Sequence, residues 1–173
     1  MKKLFIGLIL ILFDFNINIG HCIIGITPDF VGFLLIYKGF REISPYTLIY
    51  EQTEKYSIIM VIFASIMYFG DLIGLVYICD ILVFVMRIIY SIGELFITYR
   101  MVQGIIDIEK KNNVQLGGKS LNLLWICEAG VLFTSYLGYF TPAFAVLFGI
   151  IGLIVSIVFT IYFYSAIKTF EII

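Results

Sequence analysis

The stretch LFIGLILILFDFNINIGHCIIGITPDFVGFLLIY, residues 4–37, decides how often this chain crosses a membrane. Hydrocarbon at both ends brackets Asp14, Asn16, Asn18, His21 and Asp29, five strongly polar side chains. The opening apolar run reaches only about 14 Å at the helical rise of about 1.5 Å per residue, half of a bilayer core. Continuing that helix to about His21 completes a span, with the polar residues in its outer half. Asp14, Asn18 and His21 then recur at i, i+4 and i+7, one inward face, and Asn16 lies opposite. Residues 20–27 become an outer loop or a re-entrant piece, tolerated only where protein or water surrounds it. Pro28 suits the first turn of a second helix, where its missing N–H has no intrahelical partner. Asp29 beside it gains from the positive end of that helix.

Composition points the same way. Hydrophobic residues make up 62% of the 173 positions and only 13% are charged, with a mean hydropathy of +1.09. A soluble domain of this size cannot cover its core with so little polar surface, so an integral membrane protein is expected. The predicted fold is all-α: one transmembrane domain over residues 1–173, a bundle of six helices arranged as three hairpins beginning near residues 1, 56 and 114. The spans are expected at 4–19, 28–40, 56–78, 81–106, 121–139 and 142–167. The basic start and apolar run of residues 1–13 resemble a secretory signal, but no small-x-small cleavage site follows, and the segment reads as an uncleaved first span.

With both termini cytoplasmic, ten of the eleven basic residues fall at the inner face, Arg87 being the exception; the positive-inside rule therefore predicts a multi-pass protein of the cell membrane, N-in and C-in. The inner connections are read as a polar loop at 107–120 and as SPYTLIYEQTEKY (44–56), a short interfacial helix with Ser44 as N-cap.

Six acids, Asp14, Asp29, Asp71, Asp80, Glu94 and Glu128, fall within the spans or at their outer ends, against Arg87 alone. Charge in lipid is costly, about 2.5–3.5 kcal/mol or more each, so these residues are expected to face the bundle interior. Arg87, Ser91, Glu94 and Thr98 share one face of helix 4, either a network that fixes packing or the lining of a solute path. Asp71 and Arg87, each about 10 Å below the outer end of its helix, are expected to form a structural ion pair. Asp14, Glu94 and Glu128 lie about 9–16 Å from the cytoplasmic side. If they converge, crowded carboxylates must take up protons or a cation; the alternative is that each finds its own hydroxyl or amide. Gly70 with Gly74, and Gly149 and Gly152 with Ser156 and Thr160, read as faces for close helix packing.

The run DFNINIG…IGITPDFVGFLLIYKG, with the later DIEKKNNVQLGG, resembles small six-span membrane proteins of clostridial and related Gram-positive bacteria. That resemblance implies a membrane bundle and brings no activity with it. In size and span count the chain is also similar to the substrate-binding subunits of energy-coupling-factor vitamin transporters, without their motifs.

Two functions stay open: a small transporter or solute-binding subunit with a protonatable or cation-binding cavity, and a non-catalytic structural or regulatory subunit of a larger complex. The binding residues expected for the first are Asp14, Asn18, His21, Asp29, Arg87, Ser91, Glu94 and Glu128. Gly-x-Ser-Gly, His-Glu-x-x-His and Gly-x-Gly-Asp are all missing, so no enzyme, cofactor or metal is expected. The three cysteines form no metal-ligand spacing. Expected partners are the bilayer, protons or a small cationic solute, and a second copy or a membrane complex, with no nucleic acid.

Overall fold

The apolar opening helix stops at Leu12. In the computed structural model, which describes residues 1–13, 16–19, 22–75, 80–137 and 142–170, α1 (Lys2–Leu12) is followed by two short strands, β1 (Asn16–Ile19) and β2 (Cys22–Gly25). They pair antiparallel, Asn16 opposite Gly25 and Ile19 opposite Cys22. The expected helix through Asn18 is therefore replaced by a β-hairpin. The cause is legible afterwards. Asn-Ile-Asn-Ile followed by Ile-Ile carries β-branched residues and polar asparagines, poor helix formers, in the period-2 pattern of a strand. Strand pairing also satisfies the backbone groups that an open loop would leave bare in an apolar setting. Thr27 Oγ1 donates to the Phe13 carbonyl at 2.9 Å, joining the chain on either side of the hairpin, and β2 packs against α3, support that an isolated two-stranded ribbon lacks.

The remaining elements are α2 (Asp29–Ile43), a 3₁₀ turn (Ser44–Tyr46), α3 (Leu48–Leu72), α4 (Asp80–Asn112), α5 (Gly118–Leu137) and α6 (Pro142–Phe170). Three of these elements contain stretches long and apolar enough to cross a membrane: Leu48–Leu72, Ile81–Asn112 and Val146–Phe170, with mean hydropathies of 1.4, 1.9 and 2.6. Many of their outward side chains are apolar, such as Ile62 (58% exposed), Ile92 (62%) and Val146 (66%). So much exposed apolar surface belongs against lipid or another protein.

Several boundaries differ from those expected. Thr47, in extended backbone, caps α3 by accepting from the Ile49 N–H at 3.2 Å. Ser44 instead donates to the Arg41 carbonyl, so the segment read as a separate interfacial helix is mostly the first two turns of α3. At its other end α3 stops at Leu72 rather than running to 78, and Gly74 follows with φ +72°, a left-handed turn that glycine adopts without strain. α4 continues to Asn112, past the expected end at 106, leaving only 113–117 as connection.

The chain divides into two compact units, Met1–Arg100 and Met101–Ile173. In the first, α1 and α2 cross through glycines: a Cβ on Gly7 would stand 2.6 Å from the Gly32 carbonyl oxygen, and one on Gly39 2.7 Å from Leu4. Only residues without a side chain permit that approach. Leu4, Leu8, Phe33, Ile36 and Phe40 fill the interface and are fully buried. α3 and α4 run antiparallel within the same unit, shown by the order of their contacts: Thr53 with Arg100, Tyr56 with Phe96, Phe63 with Tyr90 and Asp71 with Arg87.

In the second unit, Met101, Val102, Ile105 and Ile108 are buried with Leu121, Phe159 and Phe163, and α5 packs along α6. Glu109 of α4 accepts the backbone N–H groups of Leu116 (2.8 Å), Gly117 (3.1 Å) and Gly118 (3.2 Å). One carboxylate thus supplies acceptors to the unpaired amides entering α5.

Candidate functional site

Each polar group inside an apolar helix needs a partner, and the structure supplies several of these between adjacent helices. Asp29, the first residue of α2, accepts the Tyr90 hydroxyl at 2.7 Å. Tyr90 comes from the middle of α4, with its ring edge-on to Phe33 at 6.0 Å and stacked beside Phe63 at 6.2 Å. An acid, a phenol and two phenylalanines from α2, α3 and α4 therefore form one cluster. Tyr90 was not singled out in the sequence, yet it stands three residues after Arg87 and four before Glu94, on the same helical face.

Arg87 Nη2 lies 3.3 Å and 3.4 Å from the two carboxylate oxygens of Asp71. The structure brings these two together, but in different surroundings from those expected. Asp71 is in the last turn of α3, and the side chains are 24% and 47% exposed. Arg87 thus leaves the inward stripe expected for helix 4. Ser91 and Thr98 do turn inward, at 9% and 3% exposed, and Glu94 is half-buried. Thr98 donates back to the carbonyls of Glu94 and Leu95 at 3.0 and 3.1 Å.

In the second unit, Ser156 of α6 donates to Glu128 Oε1 of α5 at 2.6 Å. No basic side chain pairs with Glu128 among the described residues. A hydroxyl donor suits the carboxylate and leaves its charge uncompensated. Six residues earlier on α5, Asn122 Oδ1 accepts from Gln103 Nε2 at 3.2 Å, joining α4 to α5.

Of the three acids expected to converge, Asp14 lies outside the described residues, Glu94 belongs to the first unit and Glu128 to the second. His21 also lies outside them, and Asn18 is placed only as the β1 residue opposite Ile23. Asp80 opens α4. The glycine faces read from the sequence are mostly not the close ones. Gly74 is in a turn, and a Cβ on Gly149 would meet nothing. Of those four glycines, only Gly152 is tight against another helix, with Val131 3.2 Å from its would-be Cβ. No protein-family model, no curated protein and no solved structure matches the chain.

Proposed function

We propose that this chain is a multi-pass protein of the cell membrane, its helices arranged as three hairpins with both termini cytoplasmic, the first hairpin (α1 with α2) lacking a full-length first span because α1 stops at Leu12. It acts as a small transporter or solute-binding subunit, with Glu128 as the group that takes up a proton or a small cation. The supporting observation is the Glu128–Ser156 pair: a carboxylate on an apolar helix whose partner is a hydroxyl at 2.6 Å and not a cation. An ionisable residue on a membrane-spanning helix is by default a candidate for a functional site, and proton relays and ion paths are among its uses. Neutral donors such as Ser156 hold the side chain in place in either protonation state.

A second reading, a non-catalytic subunit of a membrane complex, is favoured by Asp29–Tyr90, Asp71–Arg87 and Gln103–Asn122, each of which fixes one helix against another. Proteoliposomes loaded with a pH-sensitive dye separate the two. A pH step across the membrane should give protein-dependent proton movement that Glu128→Gln abolishes without loss of folded protein. Movement equal to that of empty liposomes favours the subunit. A cysteine at position 113 should label from the cytoplasmic side and one at 138 from outside; labelling of both from one side defeats the topology.

A further inference from the structure

A groove of about 750 Å³ runs between the start of α3 and the middle of α4, lined by Glu51, Lys55, Tyr56, Ile59, Phe96 and Arg100 among others. Its two ends differ in chemistry. At one end, Arg100 is fixed by neutral acceptors alone. Nε donates to Thr53 Oγ1 at 3.0 Å, and Nη2 to Gln52 Oε1 at 3.0 Å and the Ile49 carbonyl at 3.5 Å. Thr53 is wholly buried. Among the described residues Arg100 meets no carboxylate, and neither N–H of its Nη1 has a protein acceptor. Lys55, exposed on the same rim, has no ion-pair partner there either. Two cations thus face the groove against the single carboxylate of Glu51.

The other end is apolar. Tyr56 and Phe96 meet edge to face at 5.3 Å, and Tyr56, Ile59 and Phe96 are 51%, 60% and 41% exposed. Lys55 is also the last charge on α3 before Asp71, so the groove straddles the level where charged helix gives way to hydrocarbon.

We propose that this groove binds the headgroup of an anionic phospholipid, the phosphate on Arg100 and Lys55 and the first acyl carbons along Tyr56, Ile59 and Phe96. A guanidinium already held by three acceptors loses little freedom on binding, and its Nη1 keeps both N–H groups for phosphate oxygens. The position suits tyrosine, an aromatic with one wet end. A free phosphate matches the cations but leaves the apolar half unused; a lipid uses both. The inference rests on the membrane reading and not on transport.

The test is thermal stability and native mass spectrometry of the full chain in detergent, titrated separately with phosphatidylglycerol, phosphatidylcholine and sodium phosphate. Phosphatidylglycerol should bind and raise the melting temperature. Lys55→Gln should weaken it about fivefold, as expected for one interfacial charge, and Arg100→Gln by at least as much. Lys110→Gln, at the far end of α4, should change nothing. If Arg100→Gln does not fold, the exposed Lys55→Gln decides alone. Equal binding of phosphatidylcholine, equal loss in Lys110→Gln, or millimolar phosphate giving the same stabilisation each overturns the proposal. Protein that stays monodisperse in water without detergent instead defeats the membrane reading beneath it.

Discussion

The Tyr90 hydroxyl donates to Asp29 Oδ2 at 2.7 Å, tying the first residue of α2 to the middle of α4. Hydrogen bonds to a carboxylate are stronger than those between neutral groups, and leaving the acceptor without its donor costs more than the bond itself contributes. Tyr90→Phe keeps the ring against Phe33 and Phe63 and removes only the donor. It should lower unfolding stability by about 1–3 kcal/mol, measured by denaturant titration in micelles. An unchanged midpoint would mean that Asp29 is held by other groups.

Asp71 and Arg87 should matter less. With the guanidinium about half exposed and Asp71 in the final turn of its helix, the pair resembles a surface ion pair, worth about 0.2–1 kcal/mol. A double-mutant cycle of Asp71→Asn with Arg87→Met checks it. A coupling above about 3 kcal/mol would instead signal a desolvated pair.

Lys3 of α1 pairs with Glu42 near the end of α2, and this partner holds the Glu42 carboxyl below the usual carboxylate range. A lowered folded-state pKa means that the folded form binds its proton less readily than the unfolded chain. The stabilisation is therefore complete above the ordinary glutamate value, about 4.3, and disappears as pH falls through the lower folded value. Glu42→Gln should flatten the stability–pH profile in that acid window alone. Both groups are well exposed, so added salt should shrink the effect.

Residues 13–30 show what the sequence could carry and what it could not. The apolar runs and the polarity of the segment between them were legible, because side-chain type alone determines them. The backbone state between was not. Asn-Ile-Asn-Ile fits period 2, yet the need for about 20 apolar residues in a span argued for helix, and that length argument fails when a paired hairpin satisfies the backbone instead. Among the site residues, Asp71 and Arg87 could be matched by position on neighbouring helices. Tyr90 could have been found from its place on the Arg87–Glu94 face. Glu109 could not, since its role depends on where the turn at 113–117 brings the backbone amides of Leu116, Gly117 and Gly118.

That turn gives another expectation. Glu109→Gln retains an acceptor oxygen but removes the charge beside three N–H donors at 2.8–3.2 Å. It should destabilise the chain by about 1–3 kcal/mol and speed amide exchange at 116–118 before elsewhere. Uniform exchange changes would refute a local anchor.

The sharpest contrast concerns glycines, because the tightest backbone crossing of the described residues, at Gly7, is not one of those read from the sequence. At Gly7 a methyl group would stand 2.6 Å from the Gly32 carbonyl and 2.7 Å from Ile36 Cγ1. The first is backbone of a facing helix and cannot swing aside. Gly7→Ala must therefore push α1 away from α2, opening an interface in which Leu4, Leu8, Phe33 and Ile36 are buried. Overpacking of this kind costs about 1–3 kcal/mol, and separating the helices also loosens contacts beyond the substituted site. At Gly149 the same methyl meets nothing within 4 Å. Gly149→Ala should leave stability unchanged or raise it by up to about 1 kcal/mol, since alanine restricts the unfolded backbone more than glycine does. The two variants differ by one carbon each and should move melting temperatures in opposite directions, or leave only the first one shifted. Equal and opposite results, with Gly149→Ala the damaging change, would place the close helix contact on α6 and defeat the α1–α2 crossing.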